Sequence, residues 1–270
     1  MKTTTKIKIS IILLVIIAIT YSFTTLDKIA INRPQALKNR TISKNLLDNS
    51  KVGKDDYIIY GTAKGLINGK KILLFTQNNN NSSLKLITTV VVNNGKFKIS
   101  GKVTEPSFHF LQIETVKDKF PFIIENGDIT IVLYKDSIIK SKVSGTYNND
   151  EYVKFINEQL RIQKVLIDFQ KKYTPIMTKA QKANDTVTIN KLMKEFGEIQ
   201  ENVNSESKGK YITYVETHPK SFISVLIIQG MINDTAIDTE KLNLLYDSLD
   251  ESLKMTKSGK ELKLTLSKRD

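Results

Sequence analysis

The sequence predicts an α+β protein, with an N-terminal antiparallel β-sandwich or open barrel of seven to eight strands followed by a helical subdomain. Three observations predict it. Thr88–Gly101 (TTVVVNNGKFKISG) sets a two-residue Asn94-Gly95 turn between two runs of strand-forming residues, the strongest short-range signal for a hairpin. Turn residues recur at short, even spacing from Tyr57 to Gly145, as in sandwiches and barrels built from many short strands. From Asn148 onward apolar residues recur every three or four positions, the period of a helix with one buried face.

Taken in order, Lys2, Lys6 and Lys8 precede the uncharged run Ile9–Phe23 (ISIILLVIIAITYSF). A basic flank and an apolar stretch shorter than the ~20 residues that span a bilayer give the layout of a signal peptide. The small-x-small matches Ala18-Ile19-Thr20 and Thr20-Tyr21-Ser22 are loose, so the alternatives are a cleaved leader and a retained N-terminal anchor, and both predict export to the periplasm or cell envelope. The expected layout is a signal peptide or anchor over residues 1–25, a polar spacer over 26–55, a β-rich domain over 56–146 and a helical subdomain over 147–266.

Strands are expected at Tyr57–Thr62 and Lys71–Thr76, separated by Lys64-Gly65 and Asn68-Gly69, with a loop at Gln77–Ser83. The Asn94-Gly95 hairpin follows, and in it Val92 would face Phe97 and Val90 would face Ile99. Those four share one side of the pleat, while Lys96, Lys98 and Ser100 take the other. Further strands are expected at Phe108–Val116, Phe120–Glu125, Ile129–Tyr134 and Lys140–Ser144, with a second tight turn at Asn126-Gly127. Asn148, Asn149 and Asp150 offer a helix N-cap. A stripe from Tyr152 to Tyr173 predicts a helix ending near Pro175, and Ile189, Leu192, Phe196, Ile199 and Val203 predict a second helix running to His218-Pro219, where proline disfavours helix in the preceding residue. Phe222–Met231 reads as a buried helix. Leu242, Leu245, Leu249 and Leu253 form a last stripe, interrupted at Ser258-Gly259.

Net charge is +13, and residues 1–145 hold twenty-two basic and ten acidic side chains against nineteen and eighteen in residues 146–270. Arginine is scarce and lysines alternate along the expected strands, which is a solvated sheet face; a nucleic-acid surface would concentrate Lys and Arg in one stripe among aromatics. The same basic face suits a weak, salt-sensitive contact with anionic lipid. The chain has no cysteine and no tryptophan, which removes disulfides, thiolate nucleophiles, CxxC redox motifs, Cys-based zinc sites and lipoprotein acylation.

Candidate chemistry is thin. Gly61–Lys71 (GTAKGLINGKK) has the composition of a phosphate loop but only three residues between Gly65 and Gly69, no Ser or Thr after Lys70, and no helix to follow, so it reads as a β-turn. His109 alternates with Phe108 and Phe110 on a strand, and His218 precedes a helix-breaking proline; they are the only histidines, and neither a metal set nor a Ser-His pair follows from them. Glu125 and Asp128 flank Asn126-Gly127 and read as turn residues; Asp55-Asp56 reads as strand entry and Asp150-Glu151 as a helix cap. No residue is assigned a catalytic, cofactor-binding or metal-ligating role, and no cofactor is expected.

Several segments carry a resemblance to a known family. They are YGTAKGLINGKKILLF, VVNNGKFKISGKVTEP, PFIIENGDITIVL, the step from Val143-Ser144-Gly145-Thr146 into Asn148-Asn149, residues 217–221, and SLDESLKMTKSGKEL. Together, over about residues 56–265, they resemble the N-terminal part of exported thioredoxin-like (AhpC/TSA-type) thiol–disulfide oxidoreductases of Gram-negative bacteria, the domain of unknown function 4369. In that family a β-rich domain and a helical segment precede a thioredoxin domain with the redox CxxC, and many members are lipoproteins. This chain carries no cysteine to match either feature. The resemblance implies an envelope location and a non-catalytic accessory or binding module lacking the redox domain, with a separately encoded thioredoxin-like protein as a partner on the helical half. The alternatives are a cell-surface binder of glycan or peptide and a truncated oxidoreductase. Oligomeric state is open.

Overall fold

The computed structural model describes residues 56–77 and 84–269. The expected leader over 1–25, the spacer over 26–55 and nearly all of the loop at 77–83 lie outside the described residues.

Among the described residues eight strands form two sheets, mostly antiparallel. They are β1 (Asp56–Lys64), β2 (Lys71–Gln77), β3 (Leu84–Val91), β4 (Lys96–Lys102), β5 (Ser107–Ile113), β6 (Lys119–Ile124), β7 (Gly127–Tyr134) and β8 (Lys142–Ser144). One sheet has the order β4-β1-β7-β8 and the other β3-β2-β5-β6. Inward side chains of both sheets, among them Ile59, Ile72, Leu74, Leu111, Phe122 and Ile131, share one buried cluster. This is a sandwich, as the strand spacing predicts, with one departure. β1 and β7 run parallel, with Tyr57 opposite Gly127 and Lys64 opposite Tyr134.

The Asn94-Gly95 turn forms, with positive φ of 50° and 69° and mutual hydrogen bonds of 2.9 Å between Asn93 and Lys96. The ladder expected beyond it does not. The Val92 amide donates to the Lys70 carbonyl at 2.8 Å, and the Val92 carbonyl accepts from Gly69 at 3.0 Å. β3 then pairs with β2, and β4 pairs with β1. The turn is therefore a corner between the two sheets, and Val92, Phe97, Ile99 and Val90 meet in the sandwich core from opposite layers. Asn126-Gly127 is a corner of the same kind, since β6 and β7 also belong to different sheets. Two register pairs of β1 and β4 set an aromatic over a glycine: the Phe97 ring covers Gly61, and Tyr57 covers Gly101. The outer face of this sheet carries Lys96, Lys98 and Lys102, all exposed, with the Lys98 ammonium 5.5 Å from the Tyr60 ring centroid.

Among the described residues the α-helices begin at Tyr147, after one 3-10 turn at Ile138–Lys140. They are α1 (Tyr147–Lys182), α2 (Thr186–Thr217), α3 (Phe222–Met231), α4 (Thr239–Asp247), α5 (Glu251–Lys254) and α6 (Lys257–Leu266). The expected end of the first helix near Pro175 is overturned, because α1 runs on for seven residues past that proline. Pairing with α2 and side-chain bonds from Thr174 to the Gln170 carbonyl and from Thr178 to the Thr174 carbonyl hold the helix through a residue that breaks isolated ones. The last stripe is also divided differently. Its breaks fall at Ser248–Asp250 and Met255-Thr256, capped by Asp250 and Thr256, and Gly259 lies inside α6 where its amide meets the Thr256 hydroxyl.

α3 is buried nearly all round, as its composition predicts. It centres a second cluster that takes Phe108 and Ile123 from the outer face of β5 and β6. The molecule thus has three layers, sheet on sheet with helices on the second sheet. At 1.5 Å per residue α1 and α2 are each roughly 50 Å long, and they lie against each other as an antiparallel pair. Between Gln163 and Asn202 only Ala180 and Leu192 are buried, and neither belongs to the two clusters. That stretch is an arm extending from the three-layered body.

Candidate functional site

The densest set of polar groups lies where α1, α2 and α3 meet β6. Thr146 is the N-cap of α1, but its hydroxyl accepts from the Asn149 side chain and makes no bond to the helix amides. The cap expected from Asn148, Asn149 and Asp150 is accordingly one turn off. The orphan amide of Asn148 donates to Glu125 Oε1 at 2.7 Å, and Asn148 Nδ2 donates to Glu125 Oε2 at 2.6 Å. A carboxylate from the β6–β7 corner thus serves the positive end of the helix. Asn148 Oδ1 accepts the first amide of α3, from Phe222, at 2.7 Å. One asparagine ties a sheet corner to two helices.

Asn149 is fully buried and closes the edge of the second sheet. Its Oδ1 accepts from the Ile123 amide at 2.9 Å, and its Nδ2 donates to the Ile123 carbonyl at 2.7 Å. The side-chain amide takes the place of a neighbouring strand on β6, which would otherwise bury an unpaired donor and acceptor.

Two residues further on, Glu151 sits with its side chain 9% exposed. Lys154 Nζ lies 2.7 Å from one carboxylate oxygen. The Tyr214 hydroxyl donates to the other at 3.2 Å, and His218 Nε2 lies 3.5 Å from it. Burial alone pushes the Glu151 carboxyl up, but Lys154, the Tyr214 hydroxyl and His218 together hold it below its ordinary value. Burial pushes the Tyr214 phenol well up, so it stays a donor. The His218 ring stacks on Tyr214 with centroids 4.2 Å apart and planes 4° from parallel, while its Nδ1 lies 2.8 Å from the Thr217 hydroxyl. Tyr214 also shares a 3.1 Å bond with Ser221 Oγ, which caps α3 at Ile223.

This chain of groups contains a serine, a histidine and a carboxylate, yet it is not arranged for attack. Ser221 is fully buried and bonded to Tyr214 and Ile223. The His218 ring nitrogens reach the Glu151 carboxylate, the Thr217 hydroxyl and the Tyr214 carbonyl, and not the Ser221 hydroxyl. A general base has to reach the hydroxyl it activates. The arrangement is a lock: it fixes the start of α1, the end of α2 and the start of α3 on one another.

The remaining sequence candidates are dispersed. His109 is buried on β5 beside Phe122, with Nδ1 3.0 Å from the Ser107 carbonyl, and burial lowers its pKa against the raising effect of that bond. Glu125 is used at the α1 terminus, and Asp128 is exposed. Asp56 opens β1 and pairs with Lys102 at 3.1 Å. The Gly65–Lys70 segment is a turn, and Asn68 Oδ1 accepts from the Asn94 amide at 2.6 Å to brace the neighbouring corner. Asp150 Oδ1 accepts from the Gly145 amide. Among the described residues no three His, Asp or Glu side chains group as metal ligands. A shallow open groove bounded by Tyr246, Lys254, Met255 and Lys263 has the buried Tyr246 ring at its base, with the Lys254 and Lys263 ammonium groups 6.0 and 5.0 Å from the ring centroid, and no convergent polar set.

Sequence reasoning missed Tyr214, Ser221 and Asn148 as members of one cluster. Tyr214 and His218 are four apart and so share a helix face, a signal available in the sequence. Their meeting with Glu151, sixty-three residues away, depends on the fold.

No curated protein matches the chain. Residues 57–152, the sandwich and the opening of α1 with its Asn148, Asn149 and Glu151, match the family model described as the domain of unknown function DUF4369 and carry that domain.

Proposed function

We propose that the chain is a non-catalytic, exported interaction module that works beside a separately encoded thioredoxin-like protein, which docks on the helical half. The observation that carries this reading is the arm. Some forty residues of α1 and α2 extend past both cores and bury almost nothing against them. Ordering a residue costs roughly 1–2 kcal/mol of backbone entropy, so a long element that adds little to either core has its use in contact with something else.

The basic leader-like start Lys2–Phe23 supports export. The family resemblance supports the redox setting, and with no cysteine in these 270 residues the thiols would be the partner's. The test is to titrate the purified chain with the thioredoxin-like proteins encoded in the same genome, by calorimetry and by the rate of disulfide reduction. Micromolar binding to one of them, lost when residues 163–202 are replaced by a short Gly-Ser linker, is the expected result. No binding to any of them sinks the partner, and an untargeted cytosolic distribution of the tagged chain sinks export.

A further inference from the structure

Lysines of the helical half are largely paired within the chain, and those of one sheet face are not. Lys154, Lys194, Lys208, Lys210, Lys241 and Lys254 each reach a carboxylate of the same half. The outer face of the β4-β1-β7-β8 sheet differs. Ile99, Ile59, Ile131 and Val143 point into the sandwich, so alternation turns their strand neighbours outward. Among the described residues the charged side chains of this face are Lys96, Lys98 and Lys102 of β4, Asp56 and Lys64 of β1, Asp128 of β7 and Lys142 of β8. Lys102 and Asp56 pair at 3.1 Å. Lys64, Lys96, Lys98 and Lys142 are exposed and enter no ion pair among the described residues. Asp128 is the one carboxylate left to set against them.

Residues 56–145 hold twelve lysines and seven acidic residues, and with five lysines and two aspartates this single face carries +3 of that +5 excess. Among the described residues no helix covers it, because the helical layer packs on the other sheet through Phe108 and Ile123. The unpaired lysines stand at both edges, on β4 and on β8, three strand spacings or roughly 14 Å apart.

We infer that this face docks on an anionic lipid surface. Charge complementarity selects the occupant. The chain's own N-terminal stretch is no counterpart, since residues 1–50 hold eight basic and two acidic side chains. The same face of a second copy is basic as well. The negative charge therefore comes from outside, and a bilayer presents it as a plane that meets both lysine-bearing edges at once. Connectivity agrees: residues 1–55 enter the molecule at Asp56, the first residue of this sheet, so the apolar run Ile9–Phe23 is joined to the body through it. A lysine close to an anionic surface strengthens association about fivefold. Four unpaired lysines less Asp128 then give on the order of a hundredfold preference for anionic over neutral lipid, and salt screens it. The inference is independent of any thioredoxin-like partner, which docks on the helical half.

The full chain reconstituted on vesicles tests it, with acetylation of individual lysines read by mass spectrometry. Phosphatidylcholine vesicles are compared with mixed phosphatidylcholine–phosphatidylglycerol vesicles. On the mixed vesicles the labelling of Lys96, Lys98 and Lys142 is expected to slow roughly fivefold or more, while Lys172 and Lys179 of the arm are unchanged. Salt at about 1 M, where the Debye length is about 3 Å, removes the difference. Lys96→Glu with Lys98→Glu is expected to abolish the protection of Lys142 at the opposite edge, and Lys172→Glu with Lys179→Glu to leave it. All four positions are exposed, and circular dichroism checks that the fold is kept. Equal labelling on the two vesicles overturns the inference. So does protection shared evenly by Lys172 and Lys179, which insertion of Ile9–Phe23 alone would give, or protection of Lys142 that survives the reversal on β4. Protection by soluble dextran sulfate and not by the mixed vesicles overturns it too, and assigns the face to an anionic polymer.

Discussion

Asn149 does the work of a missing strand, and its loss should be felt more than its size suggests. Asn149→Ala leaves the Ile123 amide and carbonyl unpaired in a buried setting, where an unsatisfied group costs about 1–3 kcal/mol. Urea unfolding should show a loss of about 3 kcal/mol, while Asn126→Ala at the exposed corner should cost under about 1 kcal/mol. Two titrating groups give stability a pH dependence in separate windows. The buried His109 ring has a pKa below its ordinary 6.5, so the folded state prefers it neutral. The stability it contributes is full above that value and falls as pH drops through it. Melting temperature should therefore decline from pH 7 to 5, and His109→Gln should flatten that slope. Glu151 is held below its ordinary 4.5, so its contribution persists through this window and is lost only as pH falls below about 4.5. A Glu151→Gln variant that kept the full acid loss below pH 4 would show that this carboxylate is not its source.

At the scale of elements, Pro175 sits in the arm at a continuing helix rather than at a helix end. Interior proline costs about 3 kcal/mol in an isolated helix. Pro175→Ala should therefore slow amide exchange over residues 171–182 and leave α3 unchanged, as read by hydrogen exchange with mass spectrometry. The same element shows what a sequence can and cannot reveal. The proline is a local signal, and the pairing with α2 that overrides it is not local. The corner at Asn94-Gly95 teaches the same lesson. Its positive-φ turn was legible because two residues determine it, and the core positions Val92, Phe97 and Ile99 were legible because alternation determines them. Which strand each arm of the turn would pair with was not, since β2 and β1 compete for those edges from elsewhere in the chain. Phe222–Met231 was legible in full, because an apolar run of that length bounded by a serine cap leaves little choice. The polar lock was legible only as separate residues. His218 and Glu151 each carry a local reading as helix-end residues, and their meeting is a product of packing.

At the scale of the whole molecule, the sandwich and the helical layer are not independent bodies. Phe108 and Ile123 leave the second sheet to join the helical cluster, and Asn149 returns from α1 to seal β6. A fragment ending at Thr146 should therefore aggregate or bind hydrophobic dyes, whereas the full chain should not; a soluble, cooperatively melting 56–146 fragment would contradict this. The matched domain, which extends to residue 152, already includes the sealing asparagine.

The parallel pairing of β1 with β7 also sets a timetable. Tyr57 finds its partner only at Gly127, seventy residues later, and synthesis at roughly 5–20 residues per second puts several seconds between their appearances. Through that interval the apolar centre of β1, Ile58 and Ile59, keeps the edge that β7 will fill open, and its other edge gains β4 only once Lys96–Lys102 has been made. β1, the first strand of the described residues, is thus among the last to be enclosed, and a nascent chain of this protein offers an unpaired strand to whatever meets it before β7 arrives.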